Sequence, residues 1–144
     1  MLLSTPRISY GDAFLANQLY FWCIYGLSSC VSMIVKREDG PLIATLTSLI
    51  VGVLNGMSPS LAKVTKWHML WLWRTFPGTW LAEGYYDRNV SPLAYLYQVD
   101  AASTVVGVNL HRFGLDMLVL FLLGLIYRIA AFLGLRFLDR NRQK

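Results

Sequence analysis

The sequence predicts an all-α membrane protein of about three transmembrane helices, with short interfacial or re-entrant helices in a large external loop. Three observations predict this. The 144 residues are 56% hydrophobic and 14% aromatic but only 15% charged, more apolar surface than a soluble domain of this size can hide. Lys and Arg outnumber Asp and Glu by 13 to 8, yet they flank apolar runs instead of lining one basic face, which is the pattern of topological signals and not of a nucleic-acid interface. Finally, three long stretches are almost free of charge.

The first span covers residues 14–35, an uncharged run of 22 residues; about 20 suffice to cross a hydrocarbon core. Lys36-Arg37-Glu38-Asp39 and then Gly40-Pro41 follow, a polar turn whose proline suits the first turn of the next helix. The second span covers residues 41–57, closed by Asn55-Gly56 and Pro59. The third covers residues 115–138, long enough to tilt or to extend past the bilayer, with Asp116 near its start and Arg128 and Arg136 in its second half. Residues 58–114 between them carry Trp67, Trp71, Trp73, Trp80, Tyr85, Tyr86, Tyr95 and Tyr97, rings that favour the headgroup level. Within this loop residues 63–73 read as one short interfacial helix, and residues 81–86 as a second piece after a Pro77-Gly78 break. With no repeat or low-complexity linker, residues 1–144 form one domain.

Basic residues in the short turn (Lys36, Arg37) and the tail (Arg136, Arg140, Arg142, Lys144) predict that both are cytoplasmic. Residues 1–13 and the aromatic loop then lie outside, in a multi-pass protein with a cytoplasmic C-terminus. Asn89-Val90-Ser91 in that loop fits the N-glycosylation pattern, followed by Pro92. The N-terminal residues, with Pro6, Arg7 and Gly11 ahead of the apolar run, do not read as a cleavable signal.

Chemistry-bearing motifs are sparse. The sequence has neither GxxxxGK[ST] nor GxGxxG, so no cofactor and no nucleotide is expected on this segment. His68 and His111 lack partners at metal-ligand spacing, and no metal site is expected. Ser28, Ser29, Cys30 and Ser32 share their helix with no His or Asp able to activate a nucleophile; together with Gly26 they read as small-residue packing. Cys23 and Cys30, seven apart, share a helix face and cannot pair. Arg128 is a candidate for an interhelical or interdomain contact, against snorkelling to the headgroups. Glu83, in an apolar-aromatic setting, is a candidate anchor or pathway residue, against a solvated surface position. Thr45, Leu49 and Gly52 make a stripe on one face of the second span.

Several stretches, in order, resemble the last three helices of G-subfamily (white-type) ABC half-transporters. They are GLSSCVSMIVKREDGPL (26–42), GMSP (56–59), FPGTWLAEGYY (76–86) and GLIYRIAAFLGLRFLDR (124–140). The resemblance implies that the three spans correspond to helices four to six of a six-helix transmembrane domain. It implies Thr45, Leu49 and Gly52 as substrate-pathway residues and Met57 at an apolar gate, although Gly78-Thr79 replaces the arginine expected after Pro77 and Met57-Ser58 is less bulky than a double-leucine plug. It further implies membrane lipid as surroundings and, as partners, a nucleotide-binding domain holding ATP and Mg²⁺, the first half of the transmembrane domain, and a second half-transporter in a homo- or heterodimer. The expected activity is ATP-driven movement of lipophilic or sterol-like cargo, with no enzyme chemistry in this segment. Two other classes compete: a stand-alone three-span protein that binds or regulates partners, and a small membrane enzyme using His68, His111 and Glu83.

Overall fold

The computed structural model describes residues 7–35, 39–55, 59–94 and 98–138, in which every regular element is a helix. α1 spans Tyr10–Ile34. It starts four residues before the predicted span because Ser9 caps it, the hydroxyl accepting from the Asp12 N–H at 3.1 Å, and Asp12 sits where the helix dipole favours an acid. α2 spans Gly40–Val53, with Pro41 in its first turn. At about 1.5 Å per residue its 14 residues reach about 21 Å, short of a hydrocarbon core of about 30 Å.

The predicted helix over 63–73 is two helices, α3 (Leu61–Lys66) and α4 (Leu70–Arg74), parted at His68, whose φ of 57° is left-handed. Histidine is among the few residues that visit this region. The predicted piece over 81–86 extends to α5, Pro77–Val90. Pro77-Gly78 begins this helix and does not interrupt the chain before it, because proline fits a first turn and Gly78 lets α5 abut the end of α2: a Cβ there would lie 3.1 Å from Asn55 Cα. A 3-10 turn (Ser91–Leu93), α6 (Val99–Val106) and α7 (Phe113–Leu138) follow.

α7 is about 39 Å long, and its stretch from Phe113 to Phe137, of mean hydropathy 2.4, is long and apolar enough to cross a membrane. Among the described residues it is the one helix that meets both conditions. α1 has the length but carries Asn17, Gln18, Ser28, Ser29 and Ser32; α2 is apolar but short. Both α2 and α7 turn large apolar side chains outward, among them Leu46, Leu49, Leu118 and Phe132, the reverse of a soluble helix pair.

α1 and α7 run parallel. The Cys23 thiol donates to the Leu120 carbonyl (2.9 Å) and the Cys30 thiol to the Tyr127 carbonyl (3.0 Å), so both helices advance by seven residues at a fixed offset of 97. Ala16, Leu19 and Cys23 of α1 and Phe113, Met117, Leu120 and Leu123 of α7 belong to one core. Further along, a Cβ on Gly26 would lie 2.9 Å from Tyr127 Cβ, and one on Gly124 would overlap the Trp22 indole; small residues let the two backbones approach.

α5 runs antiparallel to both. Arg88 pairs with Asp12 (3.2 Å), Asn17 Nδ2 donates to the Tyr85 hydroxyl (2.7 Å), and Gly84 packs on Phe113 and Met117. At its other end the Tyr127 hydroxyl donates to the Thr75 carbonyl (2.6 Å), fourteen residues and about 21 Å along α7 from Phe113. The α4–α5 corner therefore lies beside the middle of α7. A second core gathers Leu54, Leu61, Val64, Trp73 and Val108 around the end of α2.

Candidate functional site

The densest polar chemistry lies on α5. Glu83 is 1% exposed, and burying an ionised carboxylate is costly unless its lone pairs are met. Arg74 at the end of α4 donates to it through Nη1 (2.6 Å to Oε2) and Nη2 (3.4 Å to Oε1). Oε1 also accepts from the Asn109 backbone N–H (2.8 Å) and Nδ2 (3.2 Å). The Arg74 guanidinium lies 4.3 Å from the centre of the Trp80 ring, and Trp80 Nε1 donates to the Arg74 carbonyl at 2.9 Å. One turn on, Asp87 Oδ1 accepts from the Ser91 hydroxyl and from the His111 backbone N–H, both at 2.8 Å. The two acids of α5 thus hold the stretch of chain that enters α7, where His111 takes a left-handed φ of 59°. Thr79, fully buried, donates its hydroxyl toward the carbonyls of Leu54 (3.0 Å) and Trp73 (2.8 Å), tying the ends of α2 and α4 to α5. Nearby, Asp116 is 1% exposed and its Oδ2 has no hydrogen-bond partner among the described residues.

This arrangement is a clamp. Glu83 is engaged by an arginine and an asparagine, Asp87 by a serine and a backbone amide, and no groups of His, Cys, Asp and Glu placed to hold a metal ion occur among the described residues. His68 and His111 serve as turns feeding α4 and α7.

The sequence-selected residues fall in different places. Glu83 is the centre of the clamp and is buried. Arg128 is exposed, with its guanidinium 3.7 Å from the centre of the Trp22 ring; its contact is a cation–π one to α1. Asn89 is half-buried in the last turn of α5, where its Nδ2 donates to the Tyr85 carbonyl (2.8 Å) and its Oδ1 accepts from the Arg7 N–H (3.1 Å). Thr45 is exposed and donates to the Pro41 carbonyl (2.9 Å), and Leu49 is 62% exposed; both face outward from α2. Gly52 borders a groove of about 800 Å³ between α1 and α2. Met57 lies outside the described residues, as do Lys36 and Arg37 of the turn, Tyr95 and Tyr97 of the loop, and Arg140, Arg142 and Lys144 of the tail.

Sequence reasoning did not find the pairing of Glu83 with Arg74 and Asn109, nor the part played by Asp87. A signal existed for one half of it: Glu83 and Asp87 are four apart, hence on one face of any helix that contains both. Nothing local tells that Asn109 and His111 would meet that face.

No protein-family model matches the chain, and no solved structure matches it. Over 103 residues, 72% of this chain, it is 42% identical to the ABC-type transporter claG of Penicillium crustosum. The chain spans only 14% of that relative's length. At this identity over most of its residues, the chain is related to an ABC-type transporter.

Proposed function

We propose, from this relationship, that the chain is the C-terminal membrane segment of an ATP-driven transporter of the G subfamily, moving lipophilic or sterol-like substrates. The observation that carries the reading is the 42% identity to an ABC-type transporter. The geometry supports it: α1 and α7 run parallel, as two crossings from outside to inside must, with α2 and the α4–α5 corner returning the chain between them. In this reading residues 14–35, 41–57 and 115–138 are three crossings with the turn and tail cytoplasmic. α2, being short, is completed by the α5 end that abuts it.

ATP and Mg²⁺ are held by a nucleotide-binding domain elsewhere in the longer protein; this segment contributes no phosphate-binding loop. Two half-transporters pair, as homo- or heterodimer, and rock about a central apolar cavity to which the outward face of α2, with Thr45 and Leu49, is turned. Cargo meets apolar and hydroxyl groups there and no fixed charge, which suits a lipophilic molecule. The clamp around Glu83 keeps the outer end of the three helices rigid while they move.

An antibody to residues 136–144, applied to native membranes, tests this. A band several times heavier than 16.4 kDa, yielding peptides from upstream of Met1, is the expected result. A band at 16.4 kDa that begins at Met1 overturns it in favour of a separate membrane protein. In the transporter, Thr45→Trp and Leu49→Trp are expected to lower efflux without lowering surface level; unchanged efflux removes α2 from the pathway.

A further inference from the structure

We propose that Asp116 is a proton-binding site: its carboxyl is held as a neutral acid in the junction between α5 and α7, and its ionisation loosens the two helices from each other. The site depends on the clamp alone and goes beyond the transporter reading.

Three carboxyl groups converge where α5 meets the start of α7. Glu83 and Asp116 are each 1% exposed, and Asp87 is buried as well. The donors around them are already engaged. Both Nη atoms of Arg74 go to Glu83, as do the backbone N–H and Nδ2 of Asn109; the Ser91 hydroxyl and the His111 N–H go to Asp87. Asp116 is left over, its buried Oδ2 without a hydrogen-bond partner among the described residues.

The surrounding charges do not replace the missing donor. Those that act on Asp116 are Glu83, Arg74, Asp87 and Arg112, two of each sign. Arg74 is paired with Glu83, however, and Arg112 is exposed to solvent. From α1 the adjoining core receives Ala16, Leu19 and Cys23. The Cys23 thiol goes to the Leu120 carbonyl, and Asp12 is paired with Arg88. The helix dipole favours an anion in a first turn, but by far less than the cost of burying a carboxylate that nothing pairs. Carboxyl groups crowded in this way cannot all ionise, and the one without donors is the one that keeps a proton.

A route for that proton lies alongside. A recess of about 300 Å³ has Asp87, Arg88, Ser91, His111 and Gly114 in its walls, polar and roomy enough for water. Gly114, two residues before Asp116, has no atom within 4 Å of where a Cβ would stand. Water thus reaches the Asp87 side of the clamp while Asp116 stays sealed, and exchange requires α5 to shift on α7. Ionisation breaks the carboxyl O–H bond, passes the proton to water and leaves a third negative charge beside Glu83 and Asp87. An aspartate in water ionises above about pH 3.9. The closed junction therefore binds one proton more than the opened one, so the stability it draws from this site falls as pH rises.

The test compares the full-length parent protein, in lipid nanodiscs, with Asp116→Asn, the neutral stand-in of the same shape. Thermal midpoints are expected to coincide near about pH 5 and to separate towards about pH 9, the variant lying several degrees higher there. Hydrogen exchange over residues 109–117 is taken as the parent-to-variant ratio at each pH, which cancels the intrinsic chemistry of exchange; the ratio is expected to rise several-fold over the same range. A variant less stable than the parent at every pH, or unable to fold, overturns the proposal, because Asp116 is then an ionised carboxylate held by a bound water or a donor from elsewhere. Midpoints that coincide at every pH overturn it too. One measurement needs no variant: in parent protein made with isotope-labelled aspartate, the infrared spectrum is expected to show a protonated-carboxyl band at neutral pH that disappears as pH is raised. Absence of that band equally overturns the site.

Discussion

Along the seam between α1 and α7 the contacts are glycine against indole and thiol against carbonyl. Against the same helices α5 buries two carboxylates, one of them locked to an arginine. The seam relies on uncharged groups small enough to bring two helix backbones close together. The clamp does the opposite, concentrating charge where several segments converge. The difference is one of fault tolerance: a seam built from many weak contacts degrades gradually, whereas a buried ion pair fails when one partner leaves, because the other stays behind unpaired.

That contrast can be broken deliberately. The largest effect is expected from Glu83→Ala, which strands the Arg74 guanidinium and the Asn109 amide; the loss is about 3–5 kcal/mol, read as a collapsed thermal midpoint in detergent. Glu83→Gln, which keeps the acceptor for Asn109 and removes the charge, should lie between it and the parent.

Gly124→Ala comes next. Its Cβ would overlap the Trp22 ring, an overpacking that costs about 1–3 kcal/mol. Adding Trp22→Leu should recover part of that loss, and the double-mutant cycle should be clearly non-additive. Simple additivity would mean that the indole is not seated on Gly124.

Thr79→Val keeps the shape but takes the shared donor from two buried carbonyls, for about 1–2 kcal/mol. Here the reporter is hydrogen exchange at the α2–α5 junction, expected to quicken there and not along α1 and α7. Smallest is Arg128→Met, which gives up an exposed cation–π contact of less than about 1 kcal/mol. If Arg128→Met unfolds the protein, Arg128 does more than its contact with Trp22 accounts for.

Part of the clamp and one side of the seam were legible in the residues. Cys23 and Cys30 seven apart, with Gly26 between them, already marked one packing face of the first helix, and both thiols donate to carbonyls of α7. Glu83 stood out for lying in an aromatic-apolar stretch. Its role was not legible, because the partners that decide it are 9 residues before it and 26 after it, and separations of that kind are set by how helices stack. The outward placement of Thr45 and Leu49 has the same cause: a periodic stripe fixes which residues share a face of α2 but not what that face meets.

The sequence by itself determined that the chain is helical, that its outer surface is apolar and that its charges gather at helix ends, because hydropathy and charge flanks act locally and need no partner. The tertiary structure alone decided that α1 and α7 meet in parallel register, that α5 packs antiparallel against both, and that Glu83 is buried while Arg128 is not. Those outcomes depend on which small residues face each other across helices about a hundred residues apart, and on whether a carboxylate finds enough donors to remain buried.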